Sequence, residues 1–295
     1  MRWDLPGFLG RFAWAANLVS SGLLYTLGAG IAQYLGARLR SDVFFLGLAW
    51  TAALVLFTYF TYRYFDLRAA ADNFGRRLFR ALPWRTGMLS AAIVAATLAA
   101  WATVILLRLG VVTQGAWVLM LLGVAGACLY TLPPARWVNS GYGELLLSVL
   151  AGTGIPALAF MLQFGGYQRY LAMIAFPIGA LHLSMLIALN LPGYARQQKY
   201  EIPTLVTRMG WETAMTTHNL LILGAFLLLA VAVLFDFPRF AFYPAMLALP
   251  LGLLEIYYMV RIASGIKPNW NALAVSALSL YALPVYFLAL AFWTH

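Results

Sequence analysis

The chain has 295 residues, of which 63% are hydrophobic and 9% charged, with a mean hydropathy of +0.83. That composition excludes a soluble domain, and the recurrence of apolar runs of membrane-spanning length makes this a polytopic membrane protein. The formal charge of +10 comes from basic residues in short loops between those runs, which argues against nucleic acid and for contact with anionic lipid headgroups or a lipid diphosphate.

Apolar runs between charged breaks predict nine spans, near 12–36, 42–62, 87–107, 112–130, 144–164, 170–190, 215–235, 240–260 and 271–293. No signal-peptide cleavage pattern follows the first apolar stretch, so it is expected to stay as a helix. Nine spans put the termini on opposite sides. Fourteen of the nineteen Lys and Arg residues fall on the side of the N-terminus, so the positive-inside bias places that end in the cytoplasm and the C-terminus opposite. No Ser/Gly-rich linker divides the chain, and a single transmembrane domain over 1–295 is expected. The one cysteine, Cys128, lies in an apolar run and reads as packing.

Four stretches carry more than hydrophobicity. The first span contains the small-residue segment Leu24-Tyr25-Thr26-Leu27-Gly28-Ala29-Gly30, which permits close helix contact in lipid. A charged loop is expected after the second span, with Tyr62-Arg63-Tyr64-Phe65-Asp66, Asp72-Asn73 and Arg80-Ala81-Leu82-Pro83. A turn follows the fourth, with Tyr130-Thr131-Leu132-Pro133-Pro134, Gly141-Tyr142-Gly143-Glu144 and then Gly152-Thr153-Gly154-Ile155-Pro156. After the sixth comes Asn190-Leu191-Pro192-Gly193-Tyr194-Ala195-Arg196-Gln197, followed by Ile202-Pro203-Thr204-Leu205-Val206-Thr207-Arg208-Met209-Gly210.

Together these stretches resemble the UbiA superfamily of intramembrane prenyltransferases, most nearly the dihydroxynaphthoate type of the menaquinone pathway. The resemblance implies an all-α bundle of nine transmembrane helices, in a prokaryotic cell membrane, around a cavity that opens to the cytoplasm and sideways to lipid. It also implies a prenyl diphosphate held through Mg2+ by two aspartate-rich motifs, Asn-Asp-x-x-Asp-x-x-x-Asp and Asn-x-x-Asp-x-x-x-Asp. Here the first motif keeps Asp66, while Tyr62, Arg63 and Ala70 replace its other members and Asp72 lies two residues beyond; the second keeps Asn190 but has Gly193 and Gln197 for its aspartates. Magnesium bridges carboxylates to phosphate through hard oxygen ligands, so losing most of them should slow diphosphate departure by orders of magnitude.

Asp66 and Asn190 are therefore the catalytic candidates, with Asp66 and Asp72 as weak metal ligands. Arg63, Arg76, Arg77, Arg80, Arg196 and Lys199 are candidates for holding a diphosphate or lipid headgroup. Tyr130, Glu144 and His182 are cavity candidates. Each has a plainer reading. Asp66 and Asp72 suit ion pairs with nearby arginines, the arginines suit topology determinants, Asn190 suits a helix-end hydrogen bond, Glu144 suits a helix N-terminus, and His182 suits a packed neutral imidazole. Glu255 in the eighth span is expected to be isolated. Two functions follow from the resemblance. One is a non-catalytic protein that binds an isoprenoid, quinone or other membrane lipid, as a subunit of a membrane complex or alone. The other is an aromatic polyprenyltransferase with a reduced metal site and Mg2+ as its cofactor.

Overall fold

The computed structural model describes the backbone of residues 7–73 and 78–295 and the side chains of 16–66 and 84–295. Among these residues there are helices and no strands. The elements are α1 (Gly7–Tyr34), α2 (Ser41–Asn73), α3 (Leu78–Arg108), α4 (Gln114–Thr131), α5 (Gly143–Val149), α6 (Ile155–Phe164), α7 (Arg169–Asn190), α8 (Tyr194–Lys199), α9 (Leu205–Met209), α10 (Trp211–Leu234), α11 (Arg239–Met246), α12 (Leu249–Ala263) and α13 (Trp270–Thr294).

Helix ends follow local chemistry. The Thr113 and Asn269 side chains accept from the amides of Ala116 and Ala272 to start α4 and α13, and Thr204 and Thr207 form a reciprocal capping box on α9. A five-residue π turn, Leu150–Gly154, joins α5 to α6.

Eight segments among the described residues are long and apolar enough to cross a membrane, which makes this an all-α, multi-pass integral membrane protein. α5 through α6 form one such segment, and α11 with α12 form another. The remaining predicted span, 12–36, corresponds to α1, whose described side chains begin at residue 16, and it is not counted among the eight. α1 carries Asn17, Ser20, Ser21, Gly28 and Gly30 and packs on α6, α13 and α2, so it is built for contact with protein. A Cβ at Gly28 would collide with the Pro156 carbonyl on α6.

Two other predicted boundaries differ. Residues 62–73, expected as a loop, continue α2 as helix, and the span at 240–260 is two helices broken near Leu247-Ala248.

α7 lies at the centre. Its apolar window is 67% buried, against 28% for those of α2 and α3, whose exposed Ile93, Leu98 and Trp101 suit a lipid-facing surface. The core has two parts. A large one joins α1, α6, α7 and α10 to α13; a smaller one joins α2, α3, α4 and α6 through Trp50, Ala102, Leu106, Met120 and Leu158. The candidate site lies along the seam between them.

Candidate functional site

A cavity of about 270 Å³ opens between α1, α2, α4, the π turn and α7. Its walls are mostly apolar, and among the described residues lining it there is no Asp, Glu, Lys or Arg. Its polar groups are Asn17, Ser20, Ser21, Thr51, Thr58, Tyr59, Tyr62, Tyr130, Thr153 and His182. Leu122 and Val149, both on the rim, are more than half exposed on the outer surface, so the cavity is open toward the lipid side.

The π turn shapes the inner wall. π turns widen a helix locally and recur at functional sites. Here a Cβ at Gly152 would lie 2.5 Å from the Gly179 Cα, so α5 and α7 cross with their backbones nearly touching. That crossing brings Ser148 to His182, with Oγ 3.0 Å from Nδ1. Ser148 also donates to the Glu144 carbonyl at 2.8 Å, which leaves Nδ1–H as donor to Ser148 and Nε2 as the bare nitrogen of a buried imidazole. The His182 ring meets Tyr281 edge to face at 5.0 Å, and Ser20 donates to the Tyr281 hydroxyl at 3.0 Å.

At one end the cavity adjoins a recess of about 40 Å³, sharing Tyr62, Tyr130 and Leu147 with it. The recess gathers residues of α2, α4, α5 and α7 with Thr204 at the start of α9. Its hub is Glu144. Asn190 Nδ2 donates to Glu144 Oε1 at 3.2 Å and to the Leu186 carbonyl at 3.1 Å, and the Leu205 amide donates to the same Oε1 at 3.4 Å. Beside it Thr204 Oγ1 donates to Oε1 of the buried Gln197 at 3.0 Å. Glu144 and Ser148 are one turn apart on α5, about 6 Å, while their partners Asn190 and His182 are about 12 Å apart along α7. The two helices thus share two polar rungs with Leu147 and Leu186 between them.

Of the candidates read from the sequence, the structure brings Tyr130, Glu144 and Asn190 together at the recess and sets His182 deeper in the cavity. Asp66 stands one helical turn beyond Tyr62 and pairs with Arg63 at 3.9 Å, and neither lines the cavity or the recess. Arg196 and Lys199 are exposed on α8, with the Lys199 ammonium over the Tyr200 ring at 5.6 Å. The side chains of Asp72, Arg76, Arg77 and Arg80 lie outside the described residues. Among the described residues, no three His, Cys, Asp or Glu side chains cluster as metal ligands would.

Several arginines lie instead on rings near the same helix ends. Arg85 stacks on Tyr64 at 4.8 Å and donates to its hydroxyl at 3.0 Å, Arg136 lies over Phe65 at 5.4 Å, and Arg208 over Tyr142 at 4.5 Å.

Sequence reading missed Ser148, Gln197 and Thr204. The i, i+4 spacing of Glu144 and Ser148 on one helical face was the available signal for the first. It also erred on Glu255, which is not isolated but faces His218 on α10 at 3.5 Å. No family model matches the chain, and no curated protein matches it.

Proposed function

We propose that this protein binds an uncharged or weakly polar membrane lipid of isoprenoid or quinone type, in a UbiA-like nine-helix frame whose diphosphate chemistry is degenerate. The observation that carries this is the cavity lining, apolar with hydroxyls and one imidazole and free of charged side chains among the described residues. Hydroxyls and an imidazole satisfy carbonyl or hydroxyl oxygens of a neutral headgroup. A diphosphate buried there would meet no cation among the described residues, and the charged group at the recess, Glu144, carries the wrong sign. In this reading α1 is the ninth crossing and the recess faces the cytoplasm. The exposed rim gives a lipid chain its entrance, and the protein acts alone or as a subunit of a membrane complex.

The test is direct. Protein purified in mild detergent is extracted with organic solvent and the lipids identified by mass spectrometry. A stoichiometric neutral isoprenoid or quinone, reduced in His182→Leu, is expected. Recovery of phospholipid alone, unchanged in that variant, refutes the reading.

The alternative, a prenyltransferase with a reduced metal site, draws on Asp66, which places one carboxylate a single turn beyond Tyr62 and the recess. Prenyl transfer from a labelled diphosphate to an aromatic acceptor, dependent on Mg2+ and lost in Asp66→Asn, would establish it.

A further inference from the structure

α10 and α12 bury an acid and a base that the cavity does not use. His218 and Glu255 are each 0% exposed, with Nε2 3.5 Å from Oε1. A formed charge-assisted bond spans about 2.7–2.9 Å, so the two groups face one another without closing. Neither Glu255 oxygen nor the His218 Nε2 has a hydrogen-bond partner among the described residues.

The other imidazole nitrogen bears on where the hydrogen sits. His218 Nδ1 lies 3.1 Å from the Asn219 side-chain oxygen, and a tautomer with the hydrogen on Nδ1 donates to it. A neutral His218 then aims the Nε2 lone pair at Glu255, and an ionised carboxylate offers only lone pairs in return. Two acceptors facing each other inside a membrane bundle require a positive charge between them.

Among the described residues the surroundings supply none. Glu212 on α10, Arg261 and Tyr257 on α12, Arg208 on α9, Arg239 on α11, Arg169 on α7 and His295 beyond α13 are all exposed. On α7 His182 is engaged with Ser148, and on α13 Tyr281 is engaged with Ser20. The walls are apolar: Gly252, one turn from Glu255, sits among Ile222, Phe226 and Leu280.

We propose that His218 and Glu255 form a buried cation site whose occupant is one exchangeable proton. Taken up from water, the proton changes the pair from net negative to neutral. It resides on Oε1 as a carboxylic acid donating to Nε2, or on Nε2 as an imidazolium donating to the carboxylate; passing between them it moves no net charge into or out of the pair. The site is separate from the lipid cavity and ties α10 to α12 through the proton it holds.

Infrared difference spectra of the purified full chain in lipid nanodiscs test this, with Glu255→Gln and His218→Gln as near-isosteric variants. At neutral pH the expected signal is either a carboxylic acid carbonyl band that shifts in D2O and is lost in E255Q, or an imidazolium band lost in H218Q together with a carboxylate band lost in E255Q. Nitrogen-15 spectra of histidine-labelled wild-type protein give the same answer should a variant fail to fold. A carboxylate beside a neutral imidazole would overturn the proposal. So would one equivalent of a metal ion that E255Q releases, because the occupant would then be the metal.

Discussion

Removing the Glu144 carboxylate should loosen the start of α9 in a way that can be read at one amide. The Leu205 N–H donates to Glu144 Oε1 at 3.4 Å, and that oxygen is shared with Asn190 at 3.2 Å. Hydrogen bonds to charged groups contribute roughly 1.5–3 kcal/mol when well formed; one this long and only part-buried falls lower, about 1 kcal/mol. A loss of that size raises local opening about fivefold. Hydrogen–deuterium exchange at Leu205, followed in detergent by mass spectrometry, should therefore accelerate about fivefold in Glu144→Ala. Thr207, whose amide is held by Thr204 inside the capping box, should change less. Asn190→Ala, which leaves the Leu205 bond in place, should accelerate Leu205 less than Glu144→Ala does. Unchanged exchange at Leu205 in Glu144→Ala, or equal acceleration along the whole of 194–210, would refute the view that Glu144 is a point tether between α5, α7 and α9.

Gly152→Ala should destabilise by about 1–3 kcal/mol, because its Cβ meets the Gly179 backbone, whereas Gly154→Ala, which meets nothing within 4 Å, should be neutral or slightly stabilising; thermal unfolding in detergent compares them. On the UbiA-like reading proposed above, calorimetry with a prenyl diphosphate analogue should show no strong gain in affinity on adding magnesium, since Gly193 and Gln197 stand where that reading would need carboxylates; a large gain abolished by Asp66→Ala would reverse that. In a Cys128→Ser background, Gln198→Cys should react with an impermeant thiol reagent only after cells are opened, and Ser41→Cys should react in intact cells; the opposite pattern would invert the topology.

Much of this molecule was legible as hydropathy. The segments that face lipid on one side, such as α3 and α10, declare themselves because exposed leucine, isoleucine and valine are what a bilayer selects. α1 reads as a span too, but its small and polar residues mark a different kind of surface. A helix surrounded by protein needs small and polar residues for close approach, so Gly28 and Ser20 lower its hydropathy while fitting it to α6 and α13. The extension of α2 through Asn73 was hidden, because charged residues that read as a loop are also good helix formers.

The polar groups divide by how far their partners lie along the chain. Glu144 and Asn190 stood out because each sits at a helix end beside turn-forming residues, and their contact follows from bringing four helix ends to one place. His218 and Glu255 lie within apolar runs 37 residues apart, with no spacing rule to join them; only the docking of α10 on α12 makes them a pair. The same docking explains why both persist in so apolar a setting. A lone glutamate inside the bundle would cost several kcal/mol in lost solvation, and a facing imidazole with one proton cancels the charge without a third residue. Replacing both by leucine should therefore be tolerated far better than replacing His218 alone with leucine. Thermal unfolding of His218→Leu, Glu255→Leu and the double variant measures the coupling. If the single and double changes were additive, the two groups would be independently buried and the charge between them would need another source.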